Sequence, residues 1–335
     1  MNLSKAQCQQ LATKGSELFE QFNNDMAVNK DCWIEEFVLC MQGYLKKIIK
    51  MQQTGLKDEI GHINLSLLRT KLLSREYHVR LDAYNDQWYL DRVECTGIYE
   101  VRHFYGRLAE FADLLEKMRK ESFVGLPFGE INDRFFHESR RYLVTVSEFL
   151  RDAIKKVLKT KEYQELKRAP IFQIYFGEFQ DALMIVYKED HEPKEAKKVK
   201  RHLESKKEVY TYELYDNLDL SKGDFENLNI THSSFNSCNF VMSTWQDSKI
   251  LSCEFKSSFF QHTNFSFTHI VQSDFSDATL EFVNFKGAKL RNVTFKNATL
   301  INIDFSKALI LEEINFENVT LVDTKIPESS KEVHL

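Results

Sequence analysis

The chain has 335 residues, 28% charged and 43% hydrophobic, which is apolar enough to fold two domains and excludes a disordered chain. Its 11 glycines and 4 prolines exclude collagen-like and proline-rich architectures, while 27 phenylalanines form an excess that needs a structural home. The formal net charge of -5 is uneven: residues 211–335 hold 17 Asp and Glu against 10 Lys and Arg, a net of -7, leaving +2 for residues 1–210, and neither value demands a nucleic-acid partner.

Met1 is followed by polar residues, and no run of about 18 apolar residues occurs, so a cytoplasmic protein without a membrane partner is expected. The six cysteines, at 8, 32, 40, 95, 238 and 253, contain no C-x-x-C pair, which predicts reduced thiols and no cysteine metal site. Residues 32–53 place Trp33, Ile34, Phe37, Val38, Met41, Tyr44, Leu45, Ile48 and Ile49 at helical spacing. Residues 97–119 do the same with Tyr99, Val101, Phe104, Tyr105, Leu108, Phe111, Leu115 and Met118, and a third helix is expected over about 132–159. Between the first two, residues 77–91 alternate around Asn85-Asp86 and read as a β-hairpin; residues 171–188 read as a second hairpin in preference to a buried helix. Residues 1–190 are thus expected to be an α+β domain, mostly helical with a β-hairpin, of no recognised family.

Residues 191–209 are rich in lysine and lack aromatics, which predicts a charged linker in the form of a solvated helix. The alternating stretch from Val209 to Leu214 is expected to cap whatever follows. Chemistry is sparse throughout. Asp82, Asp91 and Glu94 are able to converge on the hairpin, but three carboxylates on a polar hairpin are ordinary, and His103 beside Phe104 reads as a partly buried core residue. Cys32 and Cys40 read as packing residues. No metalloprotease, nucleophile-elbow, P-loop or dinucleotide motif occurs, so no catalytic residue, cofactor or metal is assigned.

The second half repeats. From Leu220 to Ile310 every fifth residue is large and apolar, and the residue two before it is mostly small or β-branched. Periods of 3.6 and 2 cannot hold a five-residue register over ninety residues, so neither helix nor ordinary strand accounts for it. Positions twenty apart sort by type: Phe225, Trp245, Phe265, Phe285 and Phe305 are aromatic, as are Phe235, Phe255, Phe275 and Phe295. Ile230, Ile250, Ile270, Leu290 and Ile310 are aliphatic, and Leu220, Phe240, Phe260, Leu280 and Leu300 are mixed. After Ile310 the register slips by one, to Leu311, Phe316, Leu321 and Ile326, which predicts an inserted residue near the end.

Runs such as Ser273-Asp274-Phe275-Ser276-Asp277, Val283-Asn284-Phe285-Lys286-Gly287 and Ile303-Asp304-Phe305-Ser306-Lys307 resemble the pentapeptide-repeat proteins. The resemblance covers a third of the chain. It implies a right-handed quadrilateral β-helix over 210–327, with a tail at 328–335. Four pentapeptides make one square coil, the central residue and the one two before it point inward, and the other three point outward. Stacked at strand spacing, such coils bury the central residues as ladders.

The four outer walls differ. Acid collects on the two aromatic-backed walls, diluted by Lys256, Lys286, Lys296 and Lys307, while the aliphatic-backed wall is basic through Lys249, Lys289, Arg291, His232 and His269. The fourth exposes Val241, Met242, Phe259, Phe282 and Ile301, a group expected to be covered by the amino-terminal domain or by a partner. Three functions compete. The first is a non-enzymatic protein-interaction scaffold; the second, implied by the quinolone-resistance branch of the same family, is a DNA-like rod that binds DNA gyrase. The third is an enzyme with its active site in residues 1–190 and the repeat as a targeting module. Interleaved lysines, the basic wall and the large amino-terminal domain favour the first.

Overall fold

The structure is a computed structural model that describes residues 5–121, 128–179, 181, 183–206 and 209–327. The chain divides into two units, Met1–His191 and Glu192–Leu335; the expected tail at 328–335 lies outside the described residues.

The first unit begins with a long helix, α1 (Lys5–Gln53), then β1 (Ile60–Leu67), α2 (Arg69–Leu73), β2 (His78–Tyr84) and β3 (Thr96–Glu100). Next come α3 (Arg102–Tyr105), α4 (Leu108–Glu121), α5 (Phe128–Val157), α6 (Lys161–Glu165), β4 (Arg168–Glu178) and β5 (Leu183–Asp190). Helix α1 starts well before the expected residue 32, because its buried stripe, Leu11, Leu18 and Phe22, is interrupted over the exposed stretch 27–32 and resumes at Trp33. It ends in a Schellman-type cap: Gly55 adopts φ +70, and the Leu56 N–H donates to the Met51 carbonyl at 2.9 Å.

The five strands form one sheet in the order β3-β2-β1-β4-β5, with β1 and β4 parallel and the other pairs antiparallel. Ile63, Leu65 and Leu67 of β1 share a core with Phe37, Met41, Leu45 and Ile48 of α1 and with Phe149, Leu150 and Ile154 of α5. Two expectations are corrected. Residues 97–100 are strand: Tyr99 and Val101 are buried while Ile98 and Glu100 are exposed, a two-residue alternation that helical spacing hid. Gly97 passes so close to α1 that a Cβ there would lie 2.7 Å from the Tyr44 ring, which fixes how that strand meets the helix. The hairpin expected over 77–91 has only its first arm, since β2 pairs with β3 and residues 85–95 form a loop. Asp91 anchors that loop by accepting the Asn85 and Val93 N–H groups at 2.8 and 2.9 Å. Strands β4 and β5 do form an antiparallel hairpin.

The second unit opens with α7 (Ala196–Glu204), whose Val199 and Leu203 are buried in the core of that unit. The charged segment is therefore not solvated all round. Tyr210 Oη donates to the His202 and Leu203 carbonyls at 2.8 and 3.2 Å, so α7 caps the first coil, and the stretch from Val209 to Leu214 belongs to the coil instead of capping it.

The coils carry β6 (Tyr210–Thr211), β7 (Asn229–Thr231), β8 (Lys249–Leu251), β9 (Phe259–Gln261), β10 (His269–Val271) and β11 (Thr279–Glu281). They continue through β12 (Lys289–Arg291), β13 (Thr299–Ile301), β14 (Ile310–Glu312) and β15 (Thr320–Val322). One wall is a parallel sheet ordered β14-β12-β10-β8-β7-β6, another is β15-β13-β11-β9, and isolated parallel bridges such as Asp224↔Thr244 and Ser234↔Glu254 make the other two. This is a β-solenoid of square coils, as the five-residue period requires.

Its interior is made of the expected ladders. Phe265 and Phe285 stack at 5.5 Å, Phe285 and Phe305 at 5.2 Å, Phe235 and Phe255 at 5.3 Å, and Phe255 and Phe275 at 4.9 Å. Serines two residues before a central position are buried yet satisfied: Ser258 Oγ accepts the Cys238 N–H from the coil below at 3.0 Å and donates to the Phe235 carbonyl at 2.7 Å. The frequent Asp or Asn before a central residue turns the corner, as where Asp274 Oδ1 accepts the Ser276 N–H at 2.8 Å.

The register slip is real but lies earlier than expected. Phe305 still stacks on Phe285, whereas Ile310 already pairs with Lys289 and Leu311 with Leu290. The extra residue is absorbed in the 3-10 turn Phe305–Lys307 and the exposed Leu309, so Leu311 replaces Ile310 as the ladder member.

Candidate interaction surface

Every described corner of the solenoid but the 3-10 turn at Phe305–Lys307 places the residue two after the centre in the left-handed region, from Tyr212 (φ 56) through Met242 (φ 58) and Phe282 (φ 52) to Asp323 (φ 47). No β-branched residue occupies these positions, since Val, Ile and Thr tolerate that conformation worst. Corner side chains therefore project outward at every layer. Met242, His262 and Phe282 follow one another up one corner, and the imidazole of His262 lies 5.0 Å from the Phe282 ring at 6°.

The wall beside this corner carries the five apolar residues singled out in the sequence. Phe259 opens β9, Ile301 closes β13, and Val241 lies in the coil beneath β9. Met242 is 59% exposed, Phe282 45% and Phe259 37%, while Val241 and Ile301 are half-buried. The group is divided: Gln261 donates to Glu281 at 2.7 Å, and these two polar residues stand between Val241 and Ile301 on successive layers. Exposed Leu321 and Val322 extend the apolar character to the last described coil, beyond the residues singled out in the sequence.

On the aromatic-backed walls acid and base alternate. Lys256 bridges Glu254 at 3.1 Å and Asp274 at 3.4 Å, Lys296 meets Glu317 at 2.7 Å, and Lys206 meets Asp224 at 3.3 Å.

The carboxylates among the amino-terminal candidates are engaged by neighbouring cations. Asp82 is buried and takes both oxygens to Arg80 at 2.8 and 2.9 Å, and the same guanidinium reaches Glu94 at 3.1 Å. Burial outweighs Arg80 and leaves the Asp82 carboxyl above its ordinary value. Asp91 is buried against Lys57 at 2.6 Å. His103 lies between Trp33 and Phe104, with ring centroids at 4.8 and 4.0 Å, and burial pulls it down to about 4. Cys40 is half-buried with its thiol raised by burial, and Cys32 is exposed. The sheet face opposite the helices was missed in the sequence: His62 stacks under Trp88 at 4.4 Å, and buried Asn64 donates to Tyr89 Oη at 3.2 Å. The alternation His62-Ile63-Asn64-Leu65-Ser66-Leu67 carried the signal for that strand. Among the described residues no group of three potential metal ligands occurs, and no helix is long and apolar enough to cross a membrane.

A family profile described as a pentapeptide repeat region matches residues 248–326. Residues 248–326 are a pentapeptide repeat region. No family profile matches the amino-terminal unit, and no curated protein matches the chain. Similar solved structures include the pentapeptide repeat protein Rfr23 of the cyanobacterium Cyanothece 51142, at 13% identity over 36% of this chain and 84% of that one, TM-score 0.21. Another is QnrB1, a plasmid-mediated fluoroquinolone resistance protein, at 13% identity over 35% and 73%, TM-score 0.24. A third is a pentapeptide repeat protein of the Arabidopsis thaliana thylakoid lumen, at 13% identity over 39% and 77%, TM-score 0.21.

Proposed function

We propose that this protein is a non-enzymatic interaction scaffold whose pentapeptide repeat offers the wall bearing Val241, Met242, Phe259, Phe282 and Ile301 to a protein partner in the cytoplasm. The observation that carries this reading is the exposure of Phe259 and Phe282 on a fold whose interior is already filled by its own ladders. Large apolar side chains held in water on a rigid wall are what an interface core uses. In the left-handed corner conformation Phe282 is also strained, so its place there is not dictated by local backbone preference.

The competing readings draw less support. A DNA-like rod for DNA gyrase needs uncompensated acid, but Lys256, Lys296 and Lys206 neutralise the acids beside them. An active site in the first unit built on Asp82, Asp91 and Glu94 needs free carboxylates, and these are engaged by Arg80 and Lys57. A photo-crosslinking amino acid placed at Phe282 of the full chain in its native cell tests the proposal, with the same group at Lys286 on a neighbouring wall as control. A discrete protein adduct from Phe282 and none from Lys286 supports it; identical adducts from both, or none from Phe282, contradict it.

A further inference from the structure

The wall two sides round the coil from Phe282 breaks the charge pattern of the rest of the solenoid. Strands β8, β10 and β12 are in register, so Lys249 lies directly under His269 and His269 directly under Lys289, with Leu251, Val271 and Arg291 forming the parallel column. Layers are about 4.8 Å apart, so Lys249 and Lys289 are separated by about 9.6 Å. Like charges on neighbouring strands repel, and elsewhere this solenoid interposes acids. Here it does not. Among the described residues no carboxylate lies within ion-pair distance of Lys249 or Lys289. Asp247, the nearest acid along the chain, accepts from Gln246 at 3.0 Å, and Glu312 is taken by Arg291 at 2.9 Å. Apolar side chains flank the column on both sides: Phe267, 49% exposed at the preceding corner, and Leu251 with Val271 on the following column.

We propose that this wall binds an acidic amphipathic helix lying along the solenoid axis, with Lys249, His269 and Lys289 each facing one carboxylate. A helix rises 1.5 Å per residue, so carboxylates at i, i+3 and i+7 are spaced at about 4.5 and about 6 Å, close to the layer spacing. Its apolar edges then meet Phe267, Leu251 and Val271. A nucleic acid fits less well, because the formal net charge of -5 repels a polyanion and one of the few cations, Arg291, is already paired. The groups facing His269 are Lys249 from β8 with Lys289 and Arg291 from β12; partial burial above all, and these three cations with it, hold its pKa below the ordinary value. Carboxylates arriving on this column reverse that shift, so binding takes up a proton at His269 and tightens as pH falls through the ordinary histidine range. This wall is separate from the one bearing Phe282, so the inference stands or falls without the reading above.

The test is fluorescence anisotropy of the full chain with a labelled alanine-rich helix carrying Glu at i, i+3 and i+7 and leucines beside them. The same helix with three Gln and a single-stranded oligo-dT are the comparators. Saturable binding of the Glu helix, weakened about tenfold in the Gln helix and in Lys249→Gln/Lys289→Gln, is expected, with steep loss at higher salt. His269→Gln is expected to abolish the gain in affinity between about pH 8 and about pH 6, and Phe282→Asp to change nothing. Absent binding, equal affinity for the Gln helix, or tighter binding of oligo-dT overturns the proposal. The Gln-helix comparison needs no variant of the protein, so it decides the matter even where a substitution impairs folding.

Discussion

Phe265 lies face to face with Phe285, ring centroids 5.5 Å apart and planes 7° from parallel. Twenty residues of chain separate them, one circuit of the square coil, and both rings are fully buried. That spacing is the physical content of the five-residue period, because only a coil closing after four pentapeptides brings these two rings into contact. Truncating Phe265 removes the middle of a ladder whose neighbours are held by backbone pairing and cannot collapse into the gap. Phe265→Ala is expected to cost about 3–5 kcal/mol in denaturant melts; a loss below about 1 kcal/mol contradicts the assigned register.

The left-handed corners predict an unusual substitution pattern. Asn227 is exposed at φ 58, a conformation that asparagine and glycine adopt readily and valine does not. Asn227→Val is expected to destabilise the chain by about 1–3 kcal/mol, whereas Asn227→Gly stays within about 1 kcal/mol of the parent. Urea melts of the two variants side by side check this, and equal stability of both contradicts it.

Lys57 and Asp91 form an ion pair with both side chains nearly inaccessible, and Asp91 ties down the loop between β2 and β3. Lys57→Met leaves a buried carboxylate without its cation, and a loss of about 3–5 kcal/mol is expected at neutral pH. The double variant Lys57→Met/Asp91→Asn is expected to recover part of that loss, which a double-mutant cycle measures.

Acid stability follows from His103. Burial depresses its pKa in the folded chain to about 4 from an ordinary 6.5, so the unfolded chain binds the proton more readily. The folded state thus loses stability as pH falls from about 6.5 towards 4, by up to about 3 kcal/mol at about 1.4 kcal/mol per pKa unit. His103→Gln removes this titration, so melts of the two proteins are expected to keep a constant difference above about pH 7 and to shift in the variant's favour by up to about 3 kcal/mol between pH 6.5 and about 4, and a difference that stays constant into acid contradicts it.

The solenoid was legible because its geometry writes one inward residue at a fixed separation, and the ladders from Phe225 to Phe305 follow from counting alone. The slip was misplaced because Ile310 is as apolar as the ladder residue it imitates, and only strand pairing shows that Leu311 faces Leu290. Tyr210 and Tyr215 continue the five-residue register below Leu220, but the stretch from Val209 to Leu214 also alternates as a capping strand does; Tyr210 is buried as a central residue because α7 supplies carbonyl acceptors. In the first unit, Tyr99 and Val101 fit a helical spacing as well as a strand, and the pairing of β3 with β2 decides the matter. The wall bearing Phe259 and Phe282 could be listed from the repeat, but its division by Gln261 and Glu281 required the pairing of successive coils.

The central claim is that this wall is an interface, and the most direct measurement is retention of a native partner by the full chain and by Phe282→Asp/Ile301→Asp, with melts run on both. The account predicts that the double variant loses at least about tenfold in association, since charge placed in an interface core disrupts it, while its melting stays close to the parent's because Phe282 projects outward. Undiminished association in a folded double variant would contradict it.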